Sequence, residues 1–452
     1  MPEQEFDVIV LGMGPGGEDA AERLAEAGLR VAGVESRLVG GECPYWGCVP
    51  SKMMLRAANL LAEGRRIPGM AGDATVVPDW GPVAQRIRAE ATDDWDDTVA
   101  ADRFIKKGGR LFRGHGTITA PGVVTVGDST LRASRGIIIA TGTAPSIPPV
   151  PGLRGTPYWT NHEAIEAAEV PASLLVLGGG AIGAELAQVY SRFGAEVTVV
   201  EAMDRLLPLE EPEAGQLIAE VFGRGGITVR AGAGAERVAF DGGEFAVTLP
   251  GGELVTAEKL LVATGRRADL AAVGVAAIGL DPEARSVPVD EHMRAAPGVW
   301  ALGDVVGEGA FTHMSMYHAD IIVADILGQE HFAARYHAVP RVTFTDPEVG
   351  AVGLTEAQAR EQGLAVRTGM TQIPSSTRGW IHKAGNEGFI KLVADSERGV
   401  LAGATSAGPA GGEVLSMLTL AVHAQLPVQQ LKEMIYAYPT FHRAVSEALR
   451  EL

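Results

Sequence analysis

Two rhythms of hydrophobic and polar positions divide this chain. Residues 6–11, FDVIVL, are an almost unbroken apolar run, which predicts a buried strand. It leads into GMGPGGEDAAERLAEAG, a glycine turn followed by a helical period, and then into RVAGVE, a second short buried strand. The same order of strand, glycine turn, helix and strand returns in SLLVLGGGAIGAELAQVYSRFGAEVTVVE, residues 173–201. Between the two, GIIIATGTAPSIPPVPG (136–152) ends an apolar strand in a proline-rich stretch that reads as a linker. KLLVATGRRADL (259–270) marks the way out of the second unit, and VWALGDVVG (299–307) is a strand expected to rejoin the first domain. From PRVTFTDPEVGAVGLT onward the pattern changes to alternating strands, then to the helices GGEVLSMLTLAVHAQ and VQQLKEMIYA. The expected fold is α/β, with two Rossmann-like dinucleotide-binding domains and a C-terminal α+β domain. The expected boundaries are 1–150 with 269–338, 151–268, and 339–452.

Composition narrows the function. A chain of 452 residues can bury several cores, and its charges are spread without a low-complexity block. The formal net charge of −18 disfavours nucleic acid and anionic membranes, because a polyanion is repelled at long range. No apolar run has the length to span a bilayer, and MPEQEF is an acidic leader where a secretory signal would be basic. The expectation is a cytoplasmic protein. In that reducing compartment the only two cysteines, Cys43 and Cys48, are a catalytic or metal-binding pair sooner than a structural staple. Two thiols without histidines between them make a poor zinc site, so no metal is expected.

The glycine turns suggest phosphate chemistry. Glycine between strand and helix lets the backbone approach a pyrophosphate, whose charge the helix N-terminus favours. Gly12, Gly14 and Gly17 are followed by Glu35 at the end of the second strand; Gly178, Gly180 and Gly183 are followed by Glu201 in the same setting. The spacing alone is weak in a chain with 58 glycines, but the strand, helix and acidic context makes it specific. Tight packing turns without a ligand are the plain alternative. A carboxylate at Glu201 accepts ribose hydroxyls and repels a 2′-phosphate, favouring NADH, although Arg205 leaves NADPH possible.

The stretch GGECPYWGCVPSK, residues 40–52, holds both cysteines. A disulfide needs Cα atoms roughly 4.4–6.8 Å apart, whereas five residues of regular helix rise about 7.5 Å and turn the side chains apart. The segment must therefore bend between Cys43 and Cys48, and its glycines and prolines suit that path. Pro50 fits the first turn of a helix over SKMMLRAANLLAEG, which places Cys48 at or just before the helix start. There the partial positive charge favours a thiolate, and Lys52 could add a second positive charge on the same face. Taken alone, the pair reads equally well as redox-active or as two inert buried thiols.

Together these motifs resemble the FAD-dependent pyridine nucleotide-disulfide oxidoreductases, which include dihydrolipoamide dehydrogenase, glutathione reductase and mercuric reductase. The resemblance rests on both glycine loops, GGECPYWGCVPSK, both Ala-Thr-Gly strands, ALGDVVG, FTDPEVGAVGLTE and the C-terminal YPT, in that family's order. It implies FAD on the first domain, a nicotinamide dinucleotide on the second, and a C-terminal dimerisation domain that completes the partner chain's active site. It implies further that Cys48 lies beside the flavin, that Cys43 exchanges with substrate, and that Lys52 pairs with Glu185 near the flavin. Asp304 would hold the ribityl chain, with Thr312 and His313 close to the isoalloxazine. Gly116 and Ala140, Thr141 and Gly142 would line the FAD site, and Gly265 the NAD site. His318 occupies a position where many relatives carry glutamate and has no assigned role.

The C-terminus departs from the pattern. Members that reduce disulfides carry His-Pro-Thr closely followed by glutamate, whereas this chain has Tyr438-Pro439-Thr440 followed by Phe441, His442 and Arg443. A phenol, with an ordinary pKa near 10, shuttles protons poorly at neutral pH compared with imidazole. The tail cysteines of mercuric reductases are missing too. The soluble transhydrogenases resemble this chain at Tyr-Pro-Thr but lack the cysteine pair. The expected activity is therefore hydride transfer from NADH to FAD and on through Cys43 and Cys48 to a small acceptor: a quinone, a metal ion or an unusual disulfide. Alternatives are a cysteine-independent transhydrogenase or quinone reductase (diaphorase), a dihydrolipoyl dehydrogenase-like enzyme, or a flavin redox sensor.

Overall fold

The first apolar run becomes the strand Glu3–Leu11 at the centre of a sheet, flanked on both sides by parallel neighbours. Burial on both faces explains why the run is continuous rather than alternating. The computed structural model describes residues 3–452. They form two compact units: residues up to Pro50 with Gln85–Ser146 and Arg266–Arg335, and Ser51–Ala84 with Ile147–Gly265 and Tyr336–Leu452. The fold is mixed α/β, with parallel Rossmann-like sheets and an antiparallel C-terminal sheet.

In the first unit the sheet order is Arg294–Ala296, Val299–Ala301, Ser129–Ile139, Glu3–Leu11, Val31–Glu35, Arg110–Arg113. The late strand Val299–Ala301 pairs in parallel with Ile137–Ile139, so residues far apart in sequence share one core. That core includes Val8, Ile9, Val10, Ile137, Ile138, Phe104 and Ile322, all buried. Each such side chain contributes about 1.5–3 kcal/mol of burial. The short strands Ala144–Pro145 and Arg266–Arg267 pair antiparallel, tying together the two chain segments that leave and re-enter this unit.

The second unit contains a parallel sheet in the order Thr228–Ala231, Glu196–Glu201, Ser173–Leu177, Lys259–Val262, and an antiparallel meander over Arg237–Ala257. It also contains the five-stranded antiparallel sheet of the C-terminal region, in the order Pro340–Thr343, Glu348–Gly353, Val400–Gly408, Phe389–Asp395, Val366–Gln372. The helix Gly411–His423 buries Val414, Leu415, Leu418, Ala421 and Val422 in the core of that region. Among the described residues no helix is long and apolar enough to cross a membrane.

Candidate redox and dinucleotide sites

The two glycine turns are built alike, each within its own unit. Gly12 has φ +94°, and a Cβ there would sit 2.4 Å from the Ala140 carbonyl oxygen; Gly178 has φ +106°, and a Cβ would sit 2.4 Å from that of Ala263. At Gly17 and Gly183 a Cβ would strike the carbonyl oxygens of Gly12 and Gly178. These four glycines are therefore required for the turn and for close packing of helix on strand. Gly180 differs, with nothing within 4 Å of a Cβ position, and Gly14 meets only the Gly41 Cα at 3.9 Å. The helices Pro15–Glu26 and Ala181–Arg192 start at Gly14 and Gly180 without a side-chain cap, whereas Thr160 and Thr355 cap the short helices that follow them. Open backbone at an uncapped helix N-terminus fits the pyrophosphate of a dinucleotide in both units.

The acidic residues are matched as well. Glu35 accepts the backbone N–H groups of Met13 (2.8 Å) and Arg37 (2.7 Å), and Glu201 accepts those of Gly179 (2.6 Å) and Met203 (2.7 Å). Each carboxylate is thereby fixed beside its loop, with lone pairs left for ribose hydroxyls. Arg205 is engaged elsewhere: its guanidinium reaches Asp204 and the Pro208 carbonyl oxygen. Gly142 and Gly265 follow the two Ala-Thr-Gly strand ends with φ +62° and +118° and open space where a Cβ would stand. Gly116 begins the strand Gly116–Ala120 and packs closely on the Leu11 and Val34 side chains, which would have to shift to admit a Cβ.

The cysteine segment docks onto the first glycine loop. Gly40 N–H donates to the Met13 carbonyl oxygen at 2.7 Å, and a Cβ on Gly41 (φ +67°) would lie 2.7 Å from the Gly14 Cα. Gly41 is therefore glycine for close approach, a role invisible in the spacing alone. The short helix Glu42–Tyr45 ends at Trp46, and the helix Cys48–Arg65 begins at Cys48 itself, so the bend falls between the cysteines at Gly47. Both cysteines are present as thiols. Cys48 Sγ lies 3.5 Å from Thr312 Oγ1, and a hydrogen bond to Cys48, followed by burial, pushes the Cys43 thiol well up. Negative charge is thus disfavoured on Cys43, where only a weaker Thr312 hydrogen bond opposes the rise, while the helix start favours it on Cys48.

Asp304 belongs to a polar chain whose other members, Thr143, Arg266 and Glu42, carried no sequence signal. Thr143 Oγ1 donates to Asp304 Oδ2 (2.9 Å), Arg266 Nε donates to Thr143 Oγ1 (2.9 Å), and Arg266 also pairs with Glu42 (2.6 Å), next to Cys43. Burial pushes the Asp304 carboxyl up, opposed by the Thr143 hydrogen bond. His313 stacks on Phe311 at 5.1 Å, at the start of the helix Thr312–Leu327.

His318, on that helix, is fully buried, and its Nδ1 accepts the Gly303 N–H at 3.1 Å, bracing the turn that presents Asp304. Burial lowers its pKa to about 4. The unfolded chain therefore takes up this proton first as pH falls from about 6.5. The stabilisation from a neutral His318 is complete above pH 6.5 and is lost as pH falls through about 4. Urea unfolding of wild type should show roughly 2–3 kcal/mol less stability at pH 4.5 than at pH 7 from this group. His318→Gln, which keeps an acceptor but cannot titrate, should flatten the slope; equal slopes in both proteins would refute the assignment.

In the second unit Lys52 Nζ meets Glu185 Oε2 at 2.9 Å and lies 4.6 Å from the centre of the Phe344 ring. Glu185 Oε1 accepts the Phe344 N–H, and one turn on Gln188 exchanges two hydrogen bonds with the Asp346 backbone. The FTDPE segment is thereby clamped to the helix that starts at the second glycine loop. Phe344 and Gln188 carried no sequence signal of this contact. Tyr438 is 65% exposed, and the Arg443 guanidinium lies over its ring at 5.4 Å.

Comparison with known proteins agrees with this construction. The family model described as pyridine nucleotide-disulphide oxidoreductase matches residues 6–319, and that family's dimerisation domain matches residues 339–449. A dihydrolipoyl dehydrogenase of Chlorobaculum tepidum is 34% identical over 98% of this chain and 96% of its own length. A mercuric reductase of Acidithiobacillus ferrooxidans is 32% identical over 97% of this chain and 81% of its own. Among solved structures, the HOCl-induced flavoprotein disulfide reductase RclA from Escherichia coli superposes with a TM-score of 0.84 at 26% identity, covering 99% of each chain.

Proposed function

The chain belongs to the pyridine nucleotide-disulphide oxidoreductase family of NAD(P)H-dependent flavoprotein enzymes, and from that premise we propose that it uses NADH to reduce a small acceptor through Cys43 and Cys48. The observation that carries the reading is the thiol pair itself, with Cys48 at a helix start against Thr312 and Cys43 hydrogen-bonded to Cys48, docked on the first glycine loop. An FAD held beside Cys48 would supply two-electron chemistry between the nicotinamide and the disulfide form of Cys43 and Cys48. Overall, NADH, a proton and the acceptor give NAD⁺ and the acceptor reduced by two electrons. Gly12, Gly14, Gly17 and Glu35, with Asp304, would hold FAD; Gly178, Gly180, Gly183 and Glu201 would hold NADH. The carboxylate of Glu201, fixed by the Gly179 and Met203 N–H groups, supports NADH over NADPH, since it would repel a 2′-phosphate.

The acceptor lies outside the class that relies on a histidine base. Tyr438, under Arg443, stands where such members have histidine, and a phenol cannot protonate a leaving thiolate as readily as imidazolium does. A quinone, which takes up its protons from solvent after electron transfer, fits better. The enzyme works as a homodimer, each site completed by the partner chain's C-terminal domain. Exposed Trp380, Leu420, Ile435 and Tyr438 on that domain support such self-association. Anaerobic titration of the holoenzyme tests the cysteine circuit: wild type should develop a long-wavelength absorption band over about the first equivalent of NADH per flavin, as the disulfide is reduced, and lose it over about the second, as the flavin itself is reduced. Consumption of one equivalent, without the band, would instead assign direct exchange at the flavin.

A further inference from the structure

A cavity of about 440 Å³ in the C-terminal region is lined by Lys432, Arg443, Ser446 and Arg450, with Met434 and Ile435 on its apolar side. The protein carries a net charge of −18, so its overall field repels anions, and three cations around one cavity form a local exception. Among the described residues none of the three forms an ion pair. The carboxylates adjacent in sequence bond to neutral donors and not to these cations: Glu433 accepts from Gln429 Nε2 (2.8 Å), Glu447 from Thr371 Oγ1 (3.3 Å), and Glu451 from the Met370 N–H (2.9 Å). Arg443 connects the cavity to Tyr438, over whose ring it lies.

We propose that this cavity binds a small planar anion, a ring bearing a carboxylate, sulfonate or phosphate group, and so recruits an anionic electron acceptor to the Tyr438 end of the active site. Its use in turnover rests on the acceptor reading above. Arginine forks match such oxyanions in paired hydrogen bonds, and Lys432 adds a point charge. The volume suits a bicyclic ring with one anionic substituent.

The test compares naphthoquinone sulfonate with unsubstituted naphthoquinone. Calorimetric titration of the oxidised holoenzyme, without NADH, should show the sulfonate binding and weakening as salt is raised. Lys432→Gln with Arg450→Gln should weaken it about tenfold or more, and Arg443→Gln likewise, with Arg443→Lys recovering part of the loss. In steady state the same variants should raise KM for the sulfonate and lower its kcat/KM relative to the neutral quinone. Equal losses for both quinones, or sulfonate binding untouched by the variants, would overturn the site. Unchanged sulfonate binding with dissociation of the dimer on size exclusion would also overturn it, assigning the cations to a second copy of the chain. Sulfonate binding lost in the variants, in an enzyme whose wild type reduces neither quinone, would support the anion site and refute the acceptor reading.

Discussion

Cys48→Ser is expected to lower NADH-driven reduction of the acceptor by about a thousandfold or more, the scale typical of removing a covalent or electron-relaying nucleophile. The expectation follows from the asymmetry of the pair. Cys48 opens an eighteen-residue helix and faces Thr312 Oγ1, so charge is favoured on its sulfur. Charge is disfavoured on Cys43, because Cys48 and burial both push its thiol up. Serine at 48 keeps the volume but supplies no thiolate and no disulfide. Cys43→Ser should behave differently, retaining the long-wavelength band from Cys48 while losing turnover. Stopped-flow absorbance under anaerobic conditions separates the two variants, and steady-state rates with quinones and with small disulfides complete the comparison. If both variants turn over as wild type does, the pair is not in the electron path.

Much of this arrangement was visible in the sequence because it obeys local steric rules. Gly12 and Gly178 sit where a strand turns into a helix against a neighbouring Ala-Thr-Gly strand, and Glu35 and Glu201 close the following strand. Such features repeat at fixed spacing and need no knowledge of distant contacts. What periodicity could not show were pairings between segments far apart in the chain. Gly41 meets Gly14, Arg266 reaches both Thr143 and Glu42, and His318 holds the Gly303 N–H. Lys52 and Glu185 are 133 residues apart, and only the family resemblance put them together in advance. Phe344, packed under Lys52 and bonded to Glu185, looked like any apolar strand residue. His318 shows why: an isolated histidine on a helix has no sequence mark that distinguishes a buried acceptor from a solvated side chain.

The second large effect concerns the C-terminal motif. Tyr438→His combined with Arg443→Glu should raise NADH-dependent reduction of a small disulfide such as lipoamide by about a hundredfold or more, the gain that a positioned general acid–base supplies. Tyr438→His alone should gain far less. The Arg443 guanidinium, 5.4 Å from the present ring, would disfavour the imidazolium that must protonate the departing thiolate of the substrate. A carboxylate at 443 reverses that sign, stabilises the imidazolium and fixes the ring's orientation, as the acidic member does in other histidine-based sites. The exchange should also cost the anionic quinone, because it removes one of the three cations lining the C-terminal cavity. Opposite movements in the two activities would mean that Tyr438 and Arg443 together choose the acceptor. A double variant that keeps its flavin and its dimer yet reduces lipoamide no faster than wild type would place the choice elsewhere, nearer Cys43 and Cys48.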